Sequence, residues 1–481
     1  MTSRRGGGDL QMRDPGRFRF LLLGDFGGRA SRGECSPGDL RTRRIHGVDR
    51  DDFEEVFTRL GVALALPTSG TPDRHVVRCK ELDDLAPDRL FHSVPLFAGL
   101  RTLRRRLDDP ATFADAARAL GAQEPPRAKA ESASPVDLLA SSLEATRQDS
   151  RTGSSIVDAL LREIVVPHVT PARDPRAKDL VASVDAGIAE QMRRILRDPC
   201  VRRTEAAWRG VEMLLRRCDS DRAIALHLLD VTAAELTTDL CGPDAPRELA
   251  LRIADASDRP GAERFDAIVC ADGVLTGRDG VCLLAALAEV ARASGALLLG
   301  DADPRWLGVS ALHVRPDPRE WGEVDPDCGI EQLADLRRSA AARHVALALP
   351  RLMFRLPYGR RGGEVEGFEF EEIADAADHE GFPFGPAAFA LATVIGTAYE
   401  RDGRAMRLDA TFALEQLPAD VRERDGEMTL TPPSEVVLGE RAAEAIRASG
   451  FCALRSVIGS DAVRLGPLVA LAGVPLVAPG R

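Results

Sequence analysis

Lysine is almost missing from this 481-residue chain: Lys80, Lys129 and Lys178 are its only three. They follow Cys79, Ala128 and Ala177, so the Gly-Lys-Ser/Thr core of a phosphate-cradling loop is excluded, and a P-loop nucleotide hydrolase with it. Arginine supplies the rest of the 64 basic groups, against 75 acidic ones, for a net charge of −11. A nucleic-acid-binding protein would show the opposite excess or a concentrated basic stripe. Arginine this dominant, alongside much alanine and glycine, reads as a coding bias rather than as phosphate clamps. The nine cysteines are odd in number, scattered from Cys35 to Cys452, and form no C-x-x-C. That excludes a zinc ribbon or disulfide scaffold and fits small core fillers in a reducing cytoplasm. Long apolar runs are lacking too. Val281–Val290 contains Glu289, Leu468–Ala478 contains Pro475, and both fall short of a membrane span. The run Phe18–Leu23 after Arg4-Arg5 is too short for a signal-peptide core. No membrane insertion and a cytoplasmic location are expected.

With 44% apolar and 29% charged residues the chain has a globular composition, and its length allows about three domains. Residues 1–16 are Gly/Arg-rich and are expected to be flexible. Arg17–Leu23 alternates and then stops at Gly24-Asp25-Phe26-Gly27-Gly28, a strand closed by a turn. Val62–Leu66 and Val76–Cys79 read as short strands. Leu90, Val94, Phe97, Leu100, Leu103 and Leu107 recur at helical spacing, with Arg101, Arg104, Arg105 and Arg106 as a solvated face. Gly121–Pro135 has no periodicity and reads as a linker. Four helical stretches follow: Val136–Gln148, Ser154–Val166, Lys178–Leu196 and Val201–Arg217. Strands at Ala223–Leu229, Phe265–Cys270 and Ala296–Leu299 then alternate with helices at Pro246–Ala254 and Val281–Ala293, as in a largely parallel α/β layer. A Gly/Pro-rich stretch, Gly300–Gly329, interrupts it. Helices at Glu331–Ala342, Pro386–Glu400 and Glu440–Ser449 are expected beyond, and no repeat of 20–50 residues occurs.

The search for chemistry is nearly empty. Asp25-Phe26-Gly27 matches a kinase motif in letters only, with no glycine-rich loop or strand lysine before it. G-x-G-x-x-G, H-E-x-x-H and G-x-S-x-G are absent. The eight histidines (His46, His75, His92, His168, His227, His313, His344 and His379) show no i, i+4 pair that would place two ligands on one helix face. His227 reads as a structural strand residue. Glu364, Glu366, Glu369, Glu371 and Glu372 could offer oxygen ligands or an acid–base pair, yet they partly alternate with Val365, Phe368 and Phe370, as a solvated extended segment would. Asp325–Gly329 is too short for a calcium loop. No catalytic residue, cofactor site or metal site is expected.

Two blocks of the chain do resemble a known family. Residues 17–120 resemble the small subunit of the type VI secretion contractile sheath, through Leu23–Arg29, Val48–Phe53, Leu82–Asp88, Val94-Pro95-Leu96 and the Arg/Leu helix. Residues 136–465 resemble the large sheath subunit. The matching pieces are Leu138-Leu139 to Thr146-Arg147, Glu205-Ala206-Ala207-Trp208-Arg209-Gly210-Val211, Phe265–Val269, Leu349–Gly359, Phe368–Glu372 and Pro433–Leu454.

The resemblance implies a natural fusion of the two subunits, without the large subunit's C-terminal part. A small N-terminal αβ unit (17–120) would dock, through the linker 121–135, on a helical segment (136–218) and a larger three-layer-like α/β domain (219–465), with 466–481 as a tail. It further implies no enzyme, but a structural subunit assembling into a helical sheath or ring around an inner-tube protein. Baseplate components and a ClpV-type AAA+ unfoldase would be partners. Gly24, Asp25, Phe26, Trp208, Arg209, Gly210, Arg355, Pro357, Tyr358 and Gly359 would be fold residues. Leu138, Leu139 and Leu143 would form a helix face that the unfoldase grips. Two alternatives stand beside this: a sheath-derived assembly or baseplate adaptor that does not polymerise, and, remotely, an enzyme using Glu364–Glu372.

Overall fold

The computed structural model describes residues 16–67, 74–109, 112–120, 177–258, 264–273, 275–375, 378–424 and 427–479. The linker 121–135, the helical stretches Val136–Gln148 and Ser154–Val166, and with them Leu138, Leu139 and Leu143, lie outside the described residues.

Alternation in Phe18–Leu23 yields the first strand, β1 (Phe18–Gly24). The N-terminal part continues with β2 (His46–Val48), α1 (Phe53–Leu60), the antiparallel pair β3 (Ala63–Pro67) and β4 (Arg74–Arg78), α2 (Pro87–Ser93), α3 (Ala98–Asp108) and α4 (Phe113–Ala119). From residue 177 come α5 (Ala177–Arg197), α6 (Pro199–Arg217), β5 (Ile224–Asp230), α7 (Ala233–Leu240), α8 (Glu248–Asp258), β6 (Ala267–Cys270), α9 (Gly277–Ser294) and β7 (Leu297–Asp301). Then follow α10 (Ile330–Arg338), β8 (Val345–Leu349), β9 (Leu352–Met353), β10 (Phe384–Gly385) and α11 (Ala388–Asp402). The last elements are β11 (Phe412–Leu414), the hairpin β12 (Asp420–Arg424) and β13 (Glu427–Thr431), α12 (Glu440–Ala448), β14 (Cys452–Ser456) and β15 (Val463–Leu465).

Nine strands form one sheet in the order β11-β15-β14-β8-β7-β6-β1-β5-β2. Its middle is parallel, and the antiparallel pairings are β2 on β5 at one end, and β14–β15 and β15–β11 at the other. β1 lies between β5 and β6: Phe18 to Gly24 pair with Ile224 to Asp230, and Phe20 to Leu23 with Ala267 to Cys270. A strand covered on both faces is apolar nearly throughout, and β1 follows that rule apart from Arg19 near its start. Phe18, Phe20 and Leu22 enter a core under α6 and α11, while Leu21 and Leu23 enter a second core with α7, α8 and α9 residues. The result is a mixed α/β fold in three layers.

The structure differs from the sequence reading at three points. The single helix expected over 90–107 is two, separated by a short turn at Pro95–Phe97. Pro95 lacks an N–H and forces Val94 to extended dihedrals (φ −80°, ψ 121°), which stops α2. Helix α7 was not foreseen, although Thr232 and Glu235 form a reciprocal capping box at its start. The stretch expected as a tail is packed over 466–479: Leu468, Ala470, Leu471 and Leu476 are buried, and Leu471 N–H donates to Val345 C=O at 2.8 Å.

Residues 16–120 are stitched to the rest by polar contacts as well as by β1. Asp25 N–H donates to Asp272 Oδ1 (2.8 Å) and Gly27 N–H to Asp230 Oδ1 (2.7 Å). Buried Glu235 accepts from Arg29 (2.8 Å), Arg43 (2.9 Å) and the Ser36 N–H (2.7 Å). Burial alone would raise its carboxyl, but these donors outweigh that and bring it to about 2. Arg104, expected on a solvated face, instead pairs with Asp185 at 2.6 Å.

Candidate functional site

The signature segments of the sequence converge on one side of the sheet. Helix α6 carries Thr204, Glu205, Trp208 and Arg209, three or four residues apart and so on neighbouring faces. Its start is fixed by Asp198, whose carboxylate accepts from Cys200 N–H (2.9 Å), with Pro199 at the first helical position. Trp208 is fully buried against Phe26, Phe53 and Phe57, with ring centroids 5.5, 5.5 and 4.7 Å away. Its indole N–H donates to Phe26 C=O at 2.9 Å, and Thr204 Oγ1 donates to Asp25 C=O at 3.3 Å. The turn after β1 is thereby clamped onto α6. Asp25 itself accepts from the N–H groups of Arg29 (2.5 Å) and Ala30 (3.0 Å); burial raises its carboxyl in spite of them. Gly210 faces α11, where any Cβ would overlap the Phe389 ring.

Arg355 is the polar centre. Its guanidinium is forked onto two buried carboxylates: Glu205 of α6 (2.6 and 3.1 Å) and Glu372 (2.6 and 3.0 Å). It also lies over the Tyr358 ring at 4.0 Å. Burial opposes the charges on both sides, yet the pairing wins: Arg355 is held well above its ordinary value and Glu205 below it. Burial pushes the Tyr358 phenol up to about 12. Glu372 Oε2 also accepts Tyr358 N–H at 2.8 Å, which closes the loop. Pro357 is buried in that loop, and Gly359 has φ +141° beside Glu371, a conformation and a fit that only glycine meets.

Of the residues singled out from sequence, the fold brings Asp25 and Phe26 to Trp208, and Arg209 to Arg355 and Tyr358. Gly24 ends β1, where a Cβ would press on Ala271 at 3.0 Å. Glu205 was missed as a site residue, and Glu372 was considered only as one member of an acidic run, not as the partner of Arg355. A signal existed for Glu372: it shares parity with Phe368 and Phe370, so it belongs to the buried face of that extended segment. The rest of the acidic run (Glu364, Glu366, Glu369, Glu371) does not gather into a ligand set among the described residues. His227 sits on β5 with Phe265 edge-on at 5.4 Å.

Spacing along the chain gave no metal group, but folding gathers three residues that could hold an ion. His313, His379 and Glu435 come together from three distant segments, each offering one ligand atom within 4.8 Å of the others. They adjoin a cleft of about 250 Å³ lined by Asp301, Asp303, Arg305, Arg351, Glu380 and Glu435 among others. Arg351 is forked onto Glu435 at 2.6 and 3.0 Å. Burial pushes the Glu435 carboxyl up, but the facing His379 and Arg351 bring it down to about 2.

The signature residues thus build a buried clamp on an α/β sheet, and comparison with known families gives the class. Residues 178–465, more than half of the chain, match the VipB family (EvpB/VC_A0108, tail sheath N-terminal domain), and the chain belongs to that family. It is similar to the type VI secretion system sheath protein TssC1 of Pseudomonas aeruginosa, at 24% identity over 286 residues. The match covers 58% of this chain and 57% of that relative. Among the described residues no helix is long and apolar enough to cross a membrane, and all nine cysteines are free thiols.

Proposed function

We propose that this chain is a building block of a type VI secretion contractile sheath in which small- and large-subunit parts are fused through 121–135. One observation supports the fusion: β1, from the segment outside the family match, is an interior strand of the sheet, lying between β5 and β6 of the matched region. Two chains that must share one sheet form an obligate pair, and a tether raises the effective concentration of one part around the other. In this reading the block polymerises in the cytoplasm around an inner-tube protein on a baseplate. Contraction draws on the free-energy difference between two lattices, so the subunit needs no nucleotide of its own, and a ClpV-type unfoldase recycles it through Leu138, Leu139 and Leu143. Electron microscopy of the purified chain, alone and with its genomic neighbours, tests assembly. Tubes or rings are expected, and a monomer under all conditions overturns it. A protease site placed within 121–135 tests the fusion separately: after cleavage the two fragments must co-elute without denaturant.

A further inference from the structure

The group His313, His379 and Glu435 is independent of the clamp around Arg355. His313 comes from the Gly/Pro-rich connection after β7, His379 from a single turn before β10, and Glu435 from the segment leading to α12. They meet beyond the carboxyl ends of β7 and β8, where open α/β sheets hold their ligands. The two imidazoles stack at 3.6 Å and turn toward one oxygen: His313 Nδ1 lies 3.8 Å and His379 Nε2 3.7 Å from Glu435 Oε1. Both nitrogens are shielded from solvent, and neither has a partner at hydrogen-bonding distance. Buried polar nitrogens without partners are uncommon, because desolvating a nitrogen without a replacement hydrogen bond is costly.

We propose that His313 Nδ1, His379 Nε2 and Glu435 Oε1 bind one divalent transition-metal ion of the zinc class, cross-linking the three segments. Ligands about 2.0–2.1 Å from a tetrahedral ion stand roughly 3.4 Å apart, so both nitrogen–oxygen gaps need to close by only about 0.3–0.4 Å. Two imidazoles and a carboxylate suit zinc, cobalt or nickel; calcium and magnesium call for an all-oxygen set. The adjoining cleft supplies the compensating field, with carboxyls at Asp301, Asp303, Glu380 and Glu435 against guanidiniums at Arg305 and Arg351. Arg351, which donates to Glu435 Oε2 at 3.0 Å and to Oε1 itself at 2.6 Å, then acts as the outer partner that ligating carboxylates carry. The fourth position opens on the cleft and takes water.

The test uses the full chain, freed of metal by chelation and titrated with Co²⁺ and then Zn²⁺. One Co²⁺ per chain is expected, with a visible ligand-field band of nitrogen/oxygen type and displacement by Zn²⁺. His313→Ala and His379→Ala, each checked for folding by circular dichroism, each weaken binding by about a hundredfold or more. Zn²⁺ raises the melting temperature of the parent chain but of neither variant. The proposal is overturned by absence of stoichiometric binding, by binding that survives both substitutions, or by a thiolate-to-cobalt charge-transfer band that places the ion on cysteines.

Discussion

Replacing Arg355 by methionine keeps most of its volume and removes its charge, which leaves Glu205 and Glu372 facing each other without a cation. The three side chains are only 11%, 6% and 3% exposed, so water cannot substitute for the guanidinium. Removing one partner of a buried ion pair costs about 3–5 kcal/mol. Unfolding entropy of about 2 cal/mol/K per residue over a chain this long converts that to a melting temperature lower by about 3–5 °C. The pH dependence gives a sharper signature. In the parent chain Glu205 is held below its ordinary value, so its contribution is present above the unfolded pKa and lost as pH falls through the folded one. In Arg355→Met, burial is left unopposed and raises the Glu205 carboxyl; the ionised form then carries the cost, which protonation relieves. Calorimetric melts at pH 8 and pH 5 should therefore show a gap between parent and variant that narrows toward the acid side. In a Glu205→Gln, Glu372→Gln background, Arg355→Met should cost no more than about 1 kcal/mol, because no carboxylate is left stranded. A deficit equal at both pH values, or equally large in the double-glutamine background, would refute the ion centre and leave only packing.

Gly210→Ala drives a methyl group into the Phe389 ring and should cost about 1–3 kcal/mol in urea unfolding, with Phe389→Leu recovering part of the loss in the double variant. Trp208→Phe leaves Phe26 C=O buried without its donor and should lower stability by about 1–3 kcal/mol in the same assay. Asp301 has its carboxyl pushed up to about 7 by burial, against hydrogen bonds from the Ala388 and Ala387 N–H groups. A raised carboxyl penalises the folded state increasingly as pH climbs from the unfolded value of 3.8 toward 7. Asp301→Asn, which can still accept from Ala388, should therefore melt above the parent at pH 8, with an advantage that shrinks by more than half at pH 5 and vanishes below the unfolded value of 3.8.

Periodicity carried most of the layer structure because strands buried on both faces must be apolar throughout and covering helices apolar on one stripe. Val281–Ala293 and Val201–Arg217 were legible for that reason, and so was the turn after β1. The break at Pro95 was legible in chemistry but hidden by a leucine spacing that continues across it. Arg355 with Glu205 and Glu372 spans 167 positions, and no local pattern ties them; only the shared parity of Phe368, Phe370 and Glu372 hinted at one buried carboxylate. His313, His379 and Glu435 span 122 positions, and again no local pattern ties them. Ligand spacing rules apply within a helix or hairpin, whereas these three are united by the sheet that brings their loops to one edge.

The place of β1 decides how independent the N-terminal segment can be. Five of its seven residues are large apolar side chains at 2% exposure or less, and each is worth about 1.5–3 kcal/mol on burial. Their sum, about 8–15 kcal/mol counted against an extended unfolded chain and so an upper bound, is comparable to the entire stability of an ordinary domain, about 5–15 kcal/mol. Without β1, strands β5 and β6 would also face each other across a gap with their inner backbone groups unpaired, which the remaining core could not offset. Fold boundaries in this molecule therefore do not follow the sequence segments. The family-matched region is structurally incomplete without Phe18–Gly24, and β1 has no sheet without it, so the sheet contains an interior strand from a different part of the chain than both its neighbours.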